Sequence, residues 1–407
     1  MQIKVKELEK FVVTLILFAM FFILDAVFRI REYDEKGVDF QVVIKFILFS
    51  FGLLLGVRYV LVSGVSGFIA RCFGAISLLV FFSLTSAYSP EWMYSIYVSV
   101  TYFSFFIFVF YALSVLEVLS VLSILVRAIF LFLVISVYLY IFDPDLGRFV
   151  FWNNGILEPS WRMSGLAGSA NNFARIAALG IMVVIFNWKY FKKNFSKLYF
   201  NSFLILSIGC VFMSGSRTTI LFSFFSIVVF FYLQLESRSK IYTLLLTVLG
   251  SLVAYISSDL LLSIISRDSS EDLSSFTGRD VIWGISIDLI YDSLIWGYGL
   301  GSSVFLLPDF SDLLGFAPSH AHNMYLQVML NGGVVSLCIF ILLTASTLFK
   351  LKVKKENQFF CYMIFILLVG LFESGAFALS ANIFTLLYFL CCCVANGVGQ
   401  NKFEKLT

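Results

Sequence analysis

The chain contains only two histidines, His320 and His322, separated by one alanine. Imidazole titrates near neutral pH, so one of them is a candidate general base or substrate contact. Two other interpretations stay open: an interfacial histidine capped by Asn323, or a metal ligand. A metal would need further ligands, and Asp309 and Asp312 are the nearby carboxylates. The pair is therefore the first candidate for acid–base chemistry.

Arg217 follows Ser216 at the start of an apolar segment that predicts a helix. Arginine offers a planar fork of donors that suits phosphate. A helix N-terminus disfavours a cation but attracts an anion through its free N–H groups, with Ser216 as the predicted cap. The arginine and the helix end together predict a phosphate site. The alternative is an arginine whose side chain reaches lipid headgroups.

Three more arginines have types and positions that suit an anionic substrate. Arg279 precedes an amphipathic stretch, as either a second phosphate contact or the solvated start of a helix. Arg162 and Arg175 flank a glycine-rich segment, and Arg175 lies about two turns inside the apolar helix that follows. An ionisable residue there faces a polar cavity or a partner. Glu373 and Asp25 are its candidate partners, and each could equally be an interfacial anchor.

The composition indicates the class of protein in which these residues lie. Of 407 residues, 60% are hydrophobic and 13% are charged, with a mean hydropathy of +0.96. Soluble proteins are nearer a quarter charged, so a soluble fold of this size is excluded. The net charge of +3 is too small to indicate nucleic acid as a partner. The seven cysteines lie in or beside apolar segments, without a CxxC motif, and are interpreted as packing residues.

Apolar windows predict twelve transmembrane helices, since a bilayer span needs roughly 20 apolar residues. The predicted spans are 11–28, 40–62, 67–87, 93–113, 120–142, 168–188, 198–213, 218–235, 241–258, 323–349, 359–377 and 380–396. They divide the chain into helices 1–5 (1–166), helices 6–9 (167–258), one large loop (259–321) and helices 10–12 (322–407).

The loops alternate in Lys and Arg content, with about sixteen cations on one side and about eight on the other. The positive-inside rule places the richer side, and both termini, in the cytoplasm. The loop 259–321 is then external, together with both histidines. Within it, 281–296 predicts an amphipathic helix whose apolar face carries Trp283, Ile287, Ile290 and Leu294.

An outward cavity with arginines, helix N-termini and a histidine pair suits a lipid diphosphate. The arginines would neutralise the leaving group, and histidine would accept a proton from a hydroxyl. The activated lipid-linked substrate would supply the energy, so no ATP site is needed. A polysaccharide flippase or other transporter is the alternative of another class. Transporters usually place charges at the bilayer midplane with repeat symmetry, whereas these charges lie at the outer edge.

Several short motifs resemble the O-antigen polymerase and ligase superfamily. The segment 322–333 resembles its signature His-Asn-x-x-Leu-x-x-x-x-Glu-x-Gly, except that Asn331 replaces the glutamate. Other pieces follow the family's order over residues 160–340: Arg162 with Gly165 and Asn171-Asn172, Ser216-Arg217, Gly278-Arg279, and Gly297-Tyr298-Gly299. A role for the family's carboxylate at position 331 is therefore not carried over.

The resemblance implies an all-α polytopic membrane protein of about twelve helices, similar to C-type glycosyltransferases, with one large periplasmic loop. The implied substrates are glycans on undecaprenyl diphosphate, with no cofactor and no metal. Arg217 and Arg279 would hold the diphosphate and His322 would activate the acceptor hydroxyl. Inversion at the anomeric carbon is what the ligase branch implies. The remaining residues predicted to bind substrate are Arg162, Arg175, Asn172, His320, Asn323 and Tyr325.

A polymerase is favoured over a ligase, which would transfer the polymer to lipid A core. The segment Tyr325-Leu326-Gln327 and the high number of phenylalanines, 49, are more similar to polymerases than to ligases. The expected location is the bacterial inner membrane, with the active site facing the periplasm. Expected partners are the lipid-linked glycans, membrane lipids and a chain-length regulator protein, and no nucleic acid.

Overall fold

The computed structural model describes residues 2–28, 40–153, 156–236, 239, 279–314 and 318–399. The predicted span 241–258 and the part 259–278 of the predicted outer loop lie outside the described residues. Each of the other eleven predicted spans contains a helix.

Sixteen α-helices occur in the described ranges. The first ten are α1 Gln2–Ile23, α2 Phe40–Ser63, α3 Val65–Thr85, α4 Trp92–Val115, α5 Val118–Phe142, α6 Pro144–Gly147, α7 Ala170–Phe186, α8 Trp188–Asn194, α9 Lys197–Ser214 and α10 Arg217–Gln234. The others are α11 Arg279–Asp292, α12 Ser303–Leu306, α13 Ser311–Leu314, α14 Met324–Val353, α15 Asn357–Val369 and α16 Ile383–Ala395.

Seven of these helices are long and apolar enough to cross a membrane, namely α2, α3, α4, α5, α9, α10 and α14. The pair α7 and α8, bent by 90°, makes an eighth if it counts as one span, and α15 and α16 are shorter apolar helices. The helices α2 and α10 leave much of their apolar surface uncovered, such as Leu54 (68% exposed) and Phe224 (65% exposed). The chain is thus a polytopic, mainly α-helical membrane protein.

Helix α16 lies at the centre of the body, because every one of its residues is buried. It packs against α3, α4, α14 and α15, while α5 packs against α1, α7 and α9 on another side. Asn382 starts α16 with a capping box, in which its side chain accepts from backbone N–H groups and Thr385 Oγ1 accepts from the Asn382 N–H. The loop before α16 is therefore tied to the core.

One β-hairpin interrupts the predicted all-α fold. Strands β1 Arg148–Asn153 and β2 Ile156–Met163 pair antiparallel between α6 and α7. Asn153 opposes Ile156, which leaves a two-residue connection with the sequence Asn-Gly. That dipeptide strongly favours tight hairpin turns, so a local signal for this element was present in the sequence.

Helix α14 is interrupted at Gly332 and Gly333, where the backbone leaves helical geometry and Gly333 has φ +63°. The interruption frees backbone groups, and the segment after α11 pairs with them. Tyr298 N–H donates to Leu330 O and Gly299 N–H to Asn331 O, both at 2.8 Å. The segment that follows α11 is thereby bound to α14 by backbone hydrogen bonds.

The two backbones approach so closely at this junction that only glycine leaves enough room. A Cβ on Gly297 would lie 2.6 Å from the backbone nitrogens of Gly332 and Gly333, and a Cβ on Gly333 would collide with the Ile295 carbonyl. Gly297 and Gly333 also have positive φ, which favours glycine. The glycines quoted from the superfamily motifs thus allow two backbones to touch.

The amphipathic helix predicted over 281–296 is present as α11, which ends at Asp292, before Leu294. Of its predicted apolar face, Ile290 is buried but Ile287 is 41% exposed, and the buried face also includes Ile282 and Ile285. The buried face is set by the packing of α11 on α14, which helical spacing within α11 alone cannot reveal.

Candidate active site

The histidine pair lies immediately before α14, where the helix cap fixes its position. The Asn323 side chain accepts from Tyr325 N–H and Leu326 N–H, which makes it the N-cap of α14. The preceding residue, His322, has φ +48°, a left-handed conformation that few residues other than glycine adopt. Such conformations cost of order 1–3 kcal/mol and cluster at functional sites.

Glu373 lies opposite His322, in the loop between α15 and α16, and is only 4% exposed. Its Oε1 accepts from Asn171 Nδ2 at 2.9 Å and from Arg279 Nη2 at 3.0 Å. Its Oε2 lies 3.6 Å from His322 Nδ1. The buried carboxylate thus joins α7, α11 and the start of α14.

The charge of Glu373 is maintained by its neighbours. Burial by itself raises the pKa of this carboxyl, but the adjacent His322 imidazole and the guanidinium groups of Arg175 and Arg279 lower it well below its usual value. Glu373 is therefore a fixed anion at neutral pH, and it balances part of the positive charge of the arginines.

Arg162 extends this network to the hairpin. Its Nη2 donates to Asn171 Oδ1 and its Nε to Ser214 O, both at 2.9 Å. Ser214 ends α9, directly before the turn that leads to Arg217. Arg162 therefore links the Glu373 network to the start of α10.

Arg175 and Asn172 form a second polar group on α7. Asn172 Nδ2 donates to Asp25 Oδ1 at 3.0 Å, and Arg175 Nη2 donates to Asn172 Oδ1 at 3.3 Å. Asp25 also accepts from the backbone N–H of Ile383. Arg175 lies over the Phe384 ring, and its buried Nε has no hydrogen-bond partner. Of the two candidate partners of Arg175, Asp25 is connected to it through Asn172, and Glu373 forms its ion pair with Arg279.

Arg217 is exposed at the first residue of α10 and makes no hydrogen bond or ion pair with the residues that the structure describes. Ser216 occupies the N-cap position, as predicted, but its hydroxyl pairs with Thr219 Oγ1 at 3.0 Å instead of capping the backbone. Phe222 of α10 stacks on Phe372, the residue before Glu373. The first turns of α10 therefore run alongside the Glu373 network, and the Arg217 guanidinium has no partner in the described ranges.

His320 is in contact with His322, with ring centroids 4.0 Å apart. Its Nδ1 lies 3.0 Å from Ser374 Oγ and accepts from the His322 backbone N–H at 3.3 Å. Burial, followed by the nearby His322 side chain, lowers the pKa of His320 well below its usual value, and Arg175 and Arg279 add to this while Glu373 opposes it. His320 is therefore neutral at physiological pH.

Asn323 and Tyr325 have structural contacts besides their predicted role in substrate binding. Asn323 caps α14 and its Nδ2 donates to Leu371 O, while Tyr325 OH donates to Leu367 O. Asn331 is buried, accepts from Gln327 Nε2 and donates to Phe377 O. The amide at position 331 thus holds helix α14 in place. The predicted substrate contacts of Asn323 and Tyr325 stay predictions.

The sequence interpretation missed Ser374, and it quoted Asn171 and Glu373 without giving them a place among the site residues. All three lie in or beside apolar segments, where an uncompensated polar group is costly. That cost was the available signal, but the partners are up to 202 residues apart in the chain. The structure brings His320, His322, Arg279 and Glu373 together.

A family model described as O-antigen ligase matches residues 202–341. This match confirms the resemblance to the O-antigen ligase and polymerase superfamily that the sequence motifs predicted. The matched region contains Arg217, Arg279, both histidines and the interruption of α14. Arg162, Arg175 and Glu373 lie outside the matched residues. Arg162 is linked to Glu373 through Asn171, and the charge of Arg175 acts on Glu373. No curated protein matches the chain.

Proposed function

We propose that the protein is a membrane glycosyltransferase that polymerises undecaprenyl-diphosphate-linked oligosaccharide repeat units into O-antigen or a related surface polysaccharide. The match to the O-antigen ligase family model supports a role in surface polysaccharide assembly. The observation that carries the proposal is the ion pair between Arg279 and the buried Glu373, with His322 Nδ1 3.6 Å from the same carboxylate. The residue that we propose as the base and an arginine that we propose to bind phosphate therefore share one carboxylate.

The arginines have the chemistry to hold the diphosphate. Arg217 is exposed, has no partner among the described residues, and lies where the first N–H groups of α10 are free. Arg279 donates to Glu373 through a single described hydrogen bond, although a guanidinium has five N–H donors. Both side chains therefore retain donors for phosphate oxygens.

In the reaction, the acceptor hydroxyl oxygen attacks the anomeric carbon of the donor sugar. The bond between that carbon and the diphosphate oxygen breaks, and undecaprenyl diphosphate leaves with the bonding electron pair. His322 takes the hydroxyl proton through Nε2, since its Nδ1 faces the Glu373 carboxylate. The arginines stabilise the charge that develops on the leaving diphosphate. The site faces the periplasm in this proposal.

The second candidate function is transfer of the finished polymer to lipid A core, because the matching family model is described as O-antigen ligase. The two activities differ in the acceptor. A gene deletion read on a polysaccharide gel separates them. Loss of a polymerase leaves lipopolysaccharide that carries a single repeat unit. Absence of that species, with accumulated lipid-linked polymer, would overturn the polymerase proposal and support the ligase.

The flippase alternative is tested by the transfer activity of purified protein. Purified protein in detergent has no membrane across which to move a lipid, so only a transferase would join glycans there. Formation of longer lipid-linked glycans from purified substrate would support the proposal, and its absence in folded protein with both substrates bound would count against it.

A further inference from the structure

The two neighbouring imidazoles have different hydrogen-bonding surroundings. His320 Nδ1 accepts the backbone N–H of His322, so this nitrogen carries no proton. The contact of 3.0 Å between His320 Nδ1 and Ser374 is then a hydrogen bond that the serine hydroxyl donates. A neutral imidazole with a bare Nδ1 has its proton on Nε2.

His322 has the opposite arrangement. Its Nδ1 is buried, lies 3.6 Å from Glu373 Oε2 and has no hydrogen-bond partner. An anion at that distance favours a proton on Nδ1, which leaves the Nε2 lone pair free. One ring therefore presents an acceptor to the substrate and its neighbour presents a donor.

We infer that His320 is a neutral hydrogen-bond donor, through Nε2–H, to a sugar oxygen of the acceptor glycan. The inference rests on the proposed function, because it concerns the acceptor of that reaction. The imidazole centroids are 4.0 Å apart, so an oxygen bound by His320 lies close to the hydroxyl that His322 deprotonates. His320 Nε2 has no hydrogen bond to the residues that the structure describes, and it is not among their buried unpaired atoms.

The charges around His320 favour this role over a second base. His322, Arg175, Arg279 and Glu373 act on it, and burial with the cationic neighbours outweighs the carboxylate. The ring consequently stays neutral and keeps its Nε2 proton over the working pH range. A neutral donor suits an uncharged sugar oxygen, whereas the diphosphate is matched by guanidinium groups.

Two substitutions distinguish the roles of the two nitrogens of the His320 ring. His320→Gln places an amide NH₂ near the position of Nε2 and so keeps the donor, but it loses the Nδ1 acceptor. His320→Asn keeps an acceptor near Nδ1 and loses the donor. With purified protein, His320→Asn should raise KM for the acceptor glycan by about three- to tenfold, the value of one neutral hydrogen bond. His320→Gln should stay within about twofold of the wild-type KM.

Three readouts decide the inference. KM for the donor lipid and the acid limb of the pH profile of kcat should be unchanged in both variants, because the arginines and His322 are intact. An equal rise in acceptor KM for both variants, or a rise confined to the donor lipid, would overturn the inference. Failure of the proposed function is distinguishable, because it would appear as absence of longer glycans with the wild-type protein, whereas failure of this inference leaves wild-type transfer intact.

Discussion

Arg279 and Glu373, 94 residues apart in the chain, form an ion pair of 3.0 Å between Nη2 and Oε1. The two side chains are 15% and 6% exposed, so the pair is largely removed from water. The ion pair joins helix α11 to the loop between α15 and α16. The spatial relation between a predicted phosphate-binding residue and the histidine pair depends on this contact.

Removal of the Glu373 carboxylate should destabilise the protein strongly. Glu373→Ala leaves the Arg279 guanidinium buried without its anion and Asn171 without its acceptor. Breaking a buried ion pair in this way costs about 3–5 kcal/mol. Thermal unfolding of purified protein in detergent should show a clearly lower Tm.

Glu7→Ala is the matched control, because Glu7 pairs with Lys10 at 3.5 Å on the exposed surface. Exposed pairs contribute about 0–1 kcal/mol, so its Tm should hardly change. Equal Tm losses in the two variants would show that the buried Glu373 pair contributes no more to stability than the exposed Glu7 pair.

Arg217→Lys should reduce glycan transfer about ten- to a hundredfold, because hydrogen bonds to charged groups contribute about 1.5–3 kcal/mol and lysine lacks the fork. The free energy of unfolding should not change, since Arg217 is exposed and unpaired among the described residues. Arg71→Lys, also at an exposed arginine, is the control and should retain full transfer activity. Full activity of Arg217→Lys would contradict a bidentate contact with the diphosphate.

Gly297→Ala should disrupt the junction between the segment after α11 and α14. The added Cβ would lie 2.6 Å from Leu330 O and two backbone nitrogens, and φ is +61°. We expect a lower Tm and a loss of transfer activity, because Arg279 and His322 are held on the two joined helices.

Gly284→Ala provides a control within α11, since nothing lies within 4 Å of the added Cβ. It should be neutral or stabilise the helix by about 0.5–1 kcal/mol. The prediction is contradicted if Gly297→Ala has the same Tm as Gly284→Ala.

The stability of the protein should fall with pH below about 6.5, partly because of His320. Its pKa is lowered in the folded protein, by burial first, so the unfolded chain binds this proton and the folded chain does not. Stability therefore decreases as pH drops below the unfolded pKa. His320→Asn removes this contribution, so its Tm should decline less between pH 7.5 and 5.5. Parallel declines in the two proteins would rule out the proposed protonation state.

The helices could be predicted from the sequence because hydropathy is a local property. The windows 40–62 and 120–142 match α2 and α5 within a few residues. The face of α11 could not be predicted, because Ile282 and Ile285 are buried by packing against α14, which is distant in sequence. The hairpin at 148–163 was missed although its Asn-Gly connection is a local signal for such a turn.

The site was predictable in its residue types but not in its connections. The scarcity of charges in an apolar chain drew attention to Arg175, Arg279 and the histidines. The pairing of Glu373 with Arg279 depends on how α11 packs, and nothing in the local sequence encodes it. The cap that Asn323 forms on α14 is, by contrast, a local contact with Tyr325 and Leu326.

The most direct test of the account is glycan transfer by purified His322→Ala in detergent, with lipid-linked repeat units as substrate. Wild-type protein should produce longer glycans, and the variant should produce none while its Tm and its binding of the lipid-linked substrate stay close to those of the wild type. Transfer by His322→Ala at the wild-type rate would contradict the assignment of His322 as the base.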